Sequence, residues 1–369
     1  MTENKLQNRL KDSGSNQIET IAKLRKLFFY HCLAAIILCI KKMNSTIKNI
    51  LFLIASTLIG VMLMVWVYKG FDFTMLKAFF EDGSHYVWIV GVLLAGILAN
   101  VLRSLRWHML LGAADINISK RRAIELMFIS YLINSVTPRL GELTRSLLVK
   151  RGNAEVTTRT FGTVVIEKLA DVGCLILLVG LTITLRWDKT VSLVSSMGEG
   201  LTWMLPSYTF YFVIGGGICL LIGLTARLWW HHVKQFVRNL WVGISAIARL
   251  RSPLTFVTLC LGIWVCNFMQ LYLLVPCFTA LASIGVADTL HVFAATSVGV
   301  LLPTPAGAGP WHYAIVKTLT CVYGIEKAAA QSFALITHGL KTMLIMLLGL
   351  IGYASYYRDV WHWMRKNKK

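Results

Sequence analysis

Charged side chains stand where this chain is otherwise apolar, and their spacing is that of helix faces. After Thr137-Pro138 come Arg139, Glu142 and Arg145, three residues apart. On a helix beginning at Pro138 they share one face, and together they carry one net positive charge. A helix N-terminus already attracts anions through its unpaired N–H groups and its dipole, and the planar guanidinium matches phosphate oxygens. One reading is a phosphate site for a lipid headgroup. The other is an arginine–glutamate network that closes a helix end, and both stay open at this point. Glu167 and Asp171 lie four apart, hence on one face, with Lys168 between them. They can pair statically with Arg139 or Arg145. Alternatively one of them takes up a proton during a transport cycle, since two close carboxylates without a cation tend to protonate one member. His338 and Lys341 sit three apart near the middle of a long apolar stretch. Lys341 is too deep to reach water along its own stem, so it should face a cavity or a partner acid. His312 is a further polar group in apolar surroundings.

The elements that must position these residues include two broken segments. Ser130-Tyr-Leu-Ile-Asn134-Ser-Val-Thr137-Pro138 and Ser297-Val-Gly-Val-Leu-Leu-Pro-Thr304-Pro305 each end an apolar stretch at Thr-Pro, with a serine seven residues before the threonine. Each restarts in glycine-containing sequence, at Gly141 in the first and at Gly307 and Gly309 in the second. Proline just inside a helix start, behind a threonine, marks a new helix. A helix broken at membrane depth exposes backbone groups that hydrocarbon cannot satisfy, so it must face protein or a wet cavity. Paired breaks in the two halves of an apolar chain point to a transport site.

That the chain is a membrane protein follows from composition. It is 56% hydrophobic and 15% charged, with a mean hydropathy of +0.64, whereas soluble domains carry about 25% charged residues. The net charge of +20 does not imply nucleic acid, because the lysines and arginines sit in short loops beside apolar spans, as the positive-inside rule expects. The eight cysteines lie in apolar stretches with no CxxC and read as buried thiols. There is no glycine-rich phosphate loop, HExxH or GxSxG, so neither enzymatic activity nor a cofactor is expected. The isolated juxtamembrane histidines suggest no metal site. Residues 1–42 read as an extension foreign to the rest, with a short apolar stretch at 27–40, and Met43 reads as the native start.

Apolar spans are expected at about 50–68, 86–102, 160–185, 208–228, 254–280 and 332–356. Broken segments are expected at 123–137, followed by a polar helix over 138–150, and at 290–304 continuing over 310–322. Loops 103–122, 139–159 and 227–251 and the C-terminal tail are rich in lysine and arginine, while 69–85, 186–207 and 281–289 are not. All basic loops fall on the cytoplasmic side if the two broken segments dip in from opposite faces and return. The expected fold is an all-α integral membrane protein, with about six full transmembrane helices and two re-entrant broken-helix hairpins in an inverted repeat. The C-terminus would be cytoplasmic. Tryptophans such as Trp66, Trp107 and Trp187 are read as interface anchors.

The ordered set Arg106-Trp107, Asn134-x3-Pro138-Arg139-x-Gly141-Glu142-x2-Arg145, Val165-x-Glu167-Lys168-Leu169-x-Asp171 and Pro303-x-Pro305-x-Gly307-x-Gly309 resembles the lysylphosphatidylglycerol synthase transmembrane-region family, also called the flippase-like domain family. The resemblance covers about residues 43–356. It implies a polytopic inner-membrane protein that moves anionic or modified phospholipids, or polyprenyl-linked lipids, between leaflets. Many relatives carry Glu-Arg where Glu167-Lys168 stands, and a glutamate where His312 stands. That acid's role is then missing here or passes to a histidine, which titrates near neutrality. The soluble aminoacyl-transferase domain of the longer relatives is not expected on this chain.

Three functions are therefore open: a lipid flippase or transporter, an integral-membrane transferase acting on a lipid phosphate, and a scaffold for a glycosyltransferase or synthase partner. The expected partners are membrane lipids through a phosphate headgroup, with a second copy of the chain or a lipid-modifying enzyme as further candidates. For the transporter the binding residues would be Asn134, Pro138, Arg139, Glu142, Arg145, Glu167, Asp171, Pro305, Gly307, Gly309, His312, His338 and Lys341.

Overall fold

The computed structural model describes residues 45–137, 140–149, 154–202, 250 and 252–366. Contacts divide the chain into two units, residues 1–55 and 56–369. Of the first, only the opening turns of one helix are described. The expectations for 1–42, for a start at Met43 and for a span at 208–228 lie outside the described residues, as do Pro138 and Arg139.

Among the described residues every regular element is helical, numbered here in chain order. They are α1 Ser45–Val67, α2 Thr74–Glu81, α3 His85–Ala113, α4 Lys120–Val136, α5 Leu140–Leu148, α6 Ala154–Leu185, α7 Trp187–Thr202, α8 Pro253–Tyr272, α9 Val286–Gly299, α10 Pro310–Cys321 and α11 Lys327–Lys366. Among the described residues three helical stretches are long and apolar enough to cross a membrane: His85–Ala113, Pro253–Cys277 and Lys327–Asp359. Large apolar residues point outward along them and their neighbours, including Met62, Ile176, Leu177, Leu254 and Ile351. Charges point inward, with Arg106, Arg145 and Glu167 all buried. Apolar outside and ionic inside is the arrangement lipid requires, since hydrocarbon cannot solvate an ion.

Local signals account for the helix ends. The Ser119 hydroxyl accepts the Arg122 amide and caps α4. Proline opens α8 and α10. The Asp288 carboxylate reaches back to the Gly285 amide at the start of α9, and Arg186 Nε donates to the same carboxylate at 2.7 Å.

The helices α4 and α5 fold back on one another, and so do α9 and α10. At 14 and 12 residues, α9 and α10 are about 21 and 18 Å long, short of a hydrocarbon core of about 30 Å. The longest shared face is between α4 and α11, followed by that between α3 and α8. The 3₁₀ turn Pro305–Gly307 of the second break also packs against α4, so the two broken segments meet at that helix.

Several boundaries differ from the sequence reading. The span expected to stop near residue 102 continues as α3 to Ala113, α8 ends at Tyr272 rather than near 280, and α11 runs on to Lys366 rather than 356. The arginines of α3 signalled a membrane surface, but Arg106 turns inward to Glu167 and Asp171 on α6.

Candidate functional site

An ionic network lies where α3, α5 and α6 meet, with α4 alongside. Arg145 on α5 is 1% exposed, and its Nη2 donates to Glu167 Oε2 on α6 at 2.7 Å. Its guanidinium carbon sits 4.6 Å from the centre of the Trp107 ring, and its Nη1 lies 2.9 Å from the Met127 sulfur. Arg106, fully buried on α3, donates through Nη1 to Asp171 Oδ1 at 2.7 Å. Its Nη2 is 3.6 Å from Glu167 Oε1. Two guanidinium groups therefore converge on one buried carboxylate. Nearer the surface, Lys168 Nζ lies 3.0 Å from Glu142 Oε1.

Asn134 ties the first break together. Its Oδ1 accepts the Gly141 amide at 2.8 Å and its Nδ2 donates to Glu142 Oε2 at 3.0 Å, so a side chain of α4 caps the tip of α5. Gly141 must be glycine for this, because a Cβ there would fall into the Ser130 carbonyl oxygen. Of the two readings left open for the Arg139–Glu142–Arg145 face, Arg145 takes the second. Its guanidinium is held by Glu167, Trp107 and Met127, and its buried Nε has no hydrogen-bond partner.

Arg103 and Lys341 are not members of these ion pairs. Arg103 on α3, one turn before Arg106, donates from Nη1 to the Tyr131 hydroxyl at 3.0 Å, and its buried Nε has no partner. Lys341 on α11 is partly buried. Among the described residues, neither is part of an ion pair.

At the second break, Thr304–Gly309 forms a tight path. Ala306 has φ 52° and Gly309 φ 90°, both in the left-handed region. At Gly309 a Cβ would also lie 2.6 Å from the Gly60 carbonyl oxygen, so only glycine fits. His338 Nε2 is 3.1 Å from the Ala306 carbonyl oxygen, and its Nδ1 is 3.3 Å from the Thr342 hydroxyl. The His312 and His338 rings are 4.5 Å apart, with Trp311 and Tyr68 at their edges. Three buried polar atoms here have no protein partner: Thr304 Oγ1, His312 Nδ1 and Ser332 Oγ. Buried polar groups without protein partners call for water or a ligand.

The structure thus gathers Asn134, Glu142, Arg145, Glu167 and Asp171 into one network, and Pro305, Gly307, Gly309, His312 and His338 into the second break. Lys341 follows His338 by one turn on α11. The sequence reading missed Arg103 and Arg106 as members, and misplaced Trp107. Trp107 is not an interface anchor: it is fully buried, and its indole N–H donates to the Thr163 hydroxyl at 3.1 Å. The usable signal was the spacing of Arg103, Arg106 and Trp107, which puts them on one face of α3.

Residues 53–349 match the family described as the lysylphosphatidylglycerol synthase TM region. The chain belongs to this family. A similar curated protein is the UPF0104 membrane protein PH1989 of Pyrococcus horikoshii, 26% identical over 129 residues. That alignment covers 34% of this chain and 37% of the relative, so it spans little more than a third of either. No solved structure matches. Family membership and the apolar helices together make this a multi-pass membrane protein of the lysylphosphatidylglycerol synthase TM-region family.

Proposed function

We propose that this protein moves a lipid with a phosphate-bearing headgroup between the leaflets of the inner membrane. The observation that carries the reading is the meeting of the two broken segments at α4, inside a bundle coated with apolar side chains. Membership of the family supports it. So do the three unpartnered polar atoms at the second break, which suit a path holding water or a headgroup. In this reading α4–α5 and α9–α10 are re-entrant hairpins entering from opposite faces, as an inverted repeat requires, and the C-terminus is cytoplasmic. The headgroup passes along the breaks while the acyl chains stay in lipid. The Arg106–Glu167–Arg145 network acts as the fixed wall of the path.

The test is transport by the purified protein in liposomes. Headgroup-labelled lipids in the inner leaflet are followed by a quencher that cannot cross the bilayer. We expect quenching to proceed past the outer-leaflet fraction at a rate that scales with protein. A rate equal to that of protein-free vesicles would refute the proposal. Lipids recovered afterwards should be unchanged in mass, and a changed mass would favour a transferase instead.

A further inference from the structure

Away from the ionic network, a cavity of about 310 Å³ opens beside the junction of α6 and α7. Its lining is Leu185, Arg186, Trp187, Asp188, Lys189 and Asp288. The first five are consecutive residues across that junction, and Asp288 comes from the first turn of α9. Geometry fixes how these pieces meet. Arg186 Nε donates to Asp288 Oδ1 at 2.7 Å, and Asp288 Oδ2 accepts the Gly285 amide at 3.3 Å. Lys189 Nζ donates to the Val322 carbonyl oxygen at 3.4 Å and lies 5.2 Å from the centre of the Tyr323 ring. The Tyr323 hydroxyl is in turn 3.1 Å from His291 Nδ1 on α9. The cavity is therefore tied to the start of α9 and to the C-terminal cap of α10. These are the ends of the hairpin that lie away from the second break. With 14 residues, α9 sets the cavity about 21 Å from that break.

Two cations and two carboxylates line the cavity, so its formal charge is zero. They are unequally engaged. Asp288, 16% exposed, is bound by Arg186 and the Gly285 amide. Asp188, in the first turn of α7, is exposed and has no hydrogen bond or ion pair among the described residues. Arg186, 37% exposed, commits Nε to Asp288 and reaches the Leu185 carbonyl oxygen through Nη1 only at 3.4 Å. Lys189 is exposed and bonds a single carbonyl oxygen. A free carboxylate thus shares one space with cationic donors that are incompletely used.

We infer that this cavity binds a zwitterionic headgroup, a phosphate ester joined to a primary ammonium, with the phosphate at Arg186 and Lys189 and the ammonium at Asp188. The inference rests on the lipid-transport reading and names the class of lipid. A guanidinium offers phosphate a planar set of donors and an ammonium offers a point charge. An anionic headgroup without a cation would leave Asp188 facing like charge and is disfavoured. The volume lies at the low end of small-molecule pockets, about 300–1,000 Å³, and suits a headgroup rather than acyl chains. The exposed Trp187 and Leu185 stand beside the charges, and a tryptophan so placed marks the headgroup level of a bilayer. With the α9–α10 hairpin entering from the outer face, the cavity is its outer mouth, where a headgroup arrives or departs.

The experiment uses the full chain in detergent and reads the thermal midpoint with added lipid, since a ligand that binds only the folded state raises it. The probes are phosphatidylethanolamine and phosphatidylglycerol with identical acyl chains, and free phosphoethanolamine. We expect phosphatidylethanolamine to bind with an apparent affinity about fivefold above that of phosphatidylglycerol, the size of one exposed charge pair. In Asp188→Asn the two lipids should become equal, and in Asp188→Glu the preference should return. Lys189→Gln should weaken both lipids. Asp188 has no partner to lose, so the lipid-free midpoint of Asp188→Asn should stay near wild type, which separates lost binding from lost folding. A shift with free phosphoethanolamine assigns recognition to the headgroup alone, and no shift shows that the acyl chains contribute. Either result keeps the ammonium at Asp188 if the lipid preference behaves as stated.

Equal affinity for the two lipids in the wild type would overturn the inference, as would a preference that survives Asp188→Asn. Transport in liposomes tells the two levels of argument apart. A phosphatidylethanolamine preference in binding without transport sinks the proposed function alone, whereas transport without that preference sinks this site alone.

Discussion

Replacing Glu167 by glutamine keeps the shape of the side chain and removes the charge on which two guanidinium groups converge. Arg145 then has no carboxylate left, and Arg106 retains only Asp171. Arg145 and Glu167 are 1% and 2% exposed, so water cannot take over the lost interaction. Removing one partner of such a buried pair costs about 3–5 kcal/mol. The control is Glu142→Gln, which breaks the pair with Lys168. That lysine side chain is 54% exposed, and pairs so open to solvent contribute about 0–1 kcal/mol. Thermal unfolding in detergent, followed with a thiol-reactive dye that reports exposure of buried cysteines such as Cys266, should show a large drop for Glu167→Gln and a small one for Glu142→Gln. The double variant Arg145→Met/Glu167→Met should recover much of the loss, because it leaves no uncompensated charge. Equal midpoints for the two single variants would show that the network is hydrated, and the picture of a fixed ionic wall would fail.

Gly141→Ala should separate α4 from α5, since the new methyl meets the Ser130 carbonyl oxygen. Overpacking of this kind costs about 1–3 kcal/mol, and limited proteolysis at the hairpin should speed up relative to wild type. Trp107→Phe keeps the ring under Arg145 but loses the bond to Thr163. A loss near 1 kcal/mol should appear as a lower unfolding midpoint, and no change would mean that the indole N–H contributes nothing. Asp288 lies in the first turn of α9. Burial pushes its carboxyl up, but the Arg186 hydrogen bond and the Gly285 amide outweigh this and hold it below the usual carboxylate range. A depressed folded-state value means that the stabilisation is present above the unfolded pKa of about 3.9 and is lost as pH falls through the folded value. The midpoint difference between wild type and Asp288→Asn should therefore shrink below about pH 4, and a difference that grows in acid would reverse this assignment.

Apolar runs located α3, α6, α8 and α11, but their ends differ by up to ten or eleven residues, as at Ala113 of α3 and Lys366 of α11. At Arg103 and Arg106 the sequence was read as a membrane surface. What places Arg106 inside is a carboxylate on α6, 61 residues away in the case of Glu167. Hydropathy along one helix carries no information about what the next helix presents. The second break was readable because proline and glycine act locally: Pro305 and Pro310 start helical turns and Gly309 takes a left-handed φ. That the break rests on α4 was not readable, since nothing near residue 305 specifies a partner helix. Asn134 stood out through its place in the family pattern. Its two hydrogen bonds, accepted from the Gly141 amide and donated to Glu142, then supplied the physical reason.

Direct ion pairs gain strength as the surroundings become less polar, while an unpaired charge becomes more costly. These two tendencies divide the interior of this protein into parts with different duties. Glu167, Arg145 and Arg106 bind one another too tightly to exchange partners at each step of a cycle, so they hold α3, α5 and α6 in register. Exchange is cheaper where no ion pair has to break, as at the unpartnered Thr304 Oγ1 and His312 Nδ1 of the second break. The helix α4 touches both kinds of place: Asn134 secures α5, Tyr131 reaches Arg103, and the Pro305–Gly307 turn rests against it.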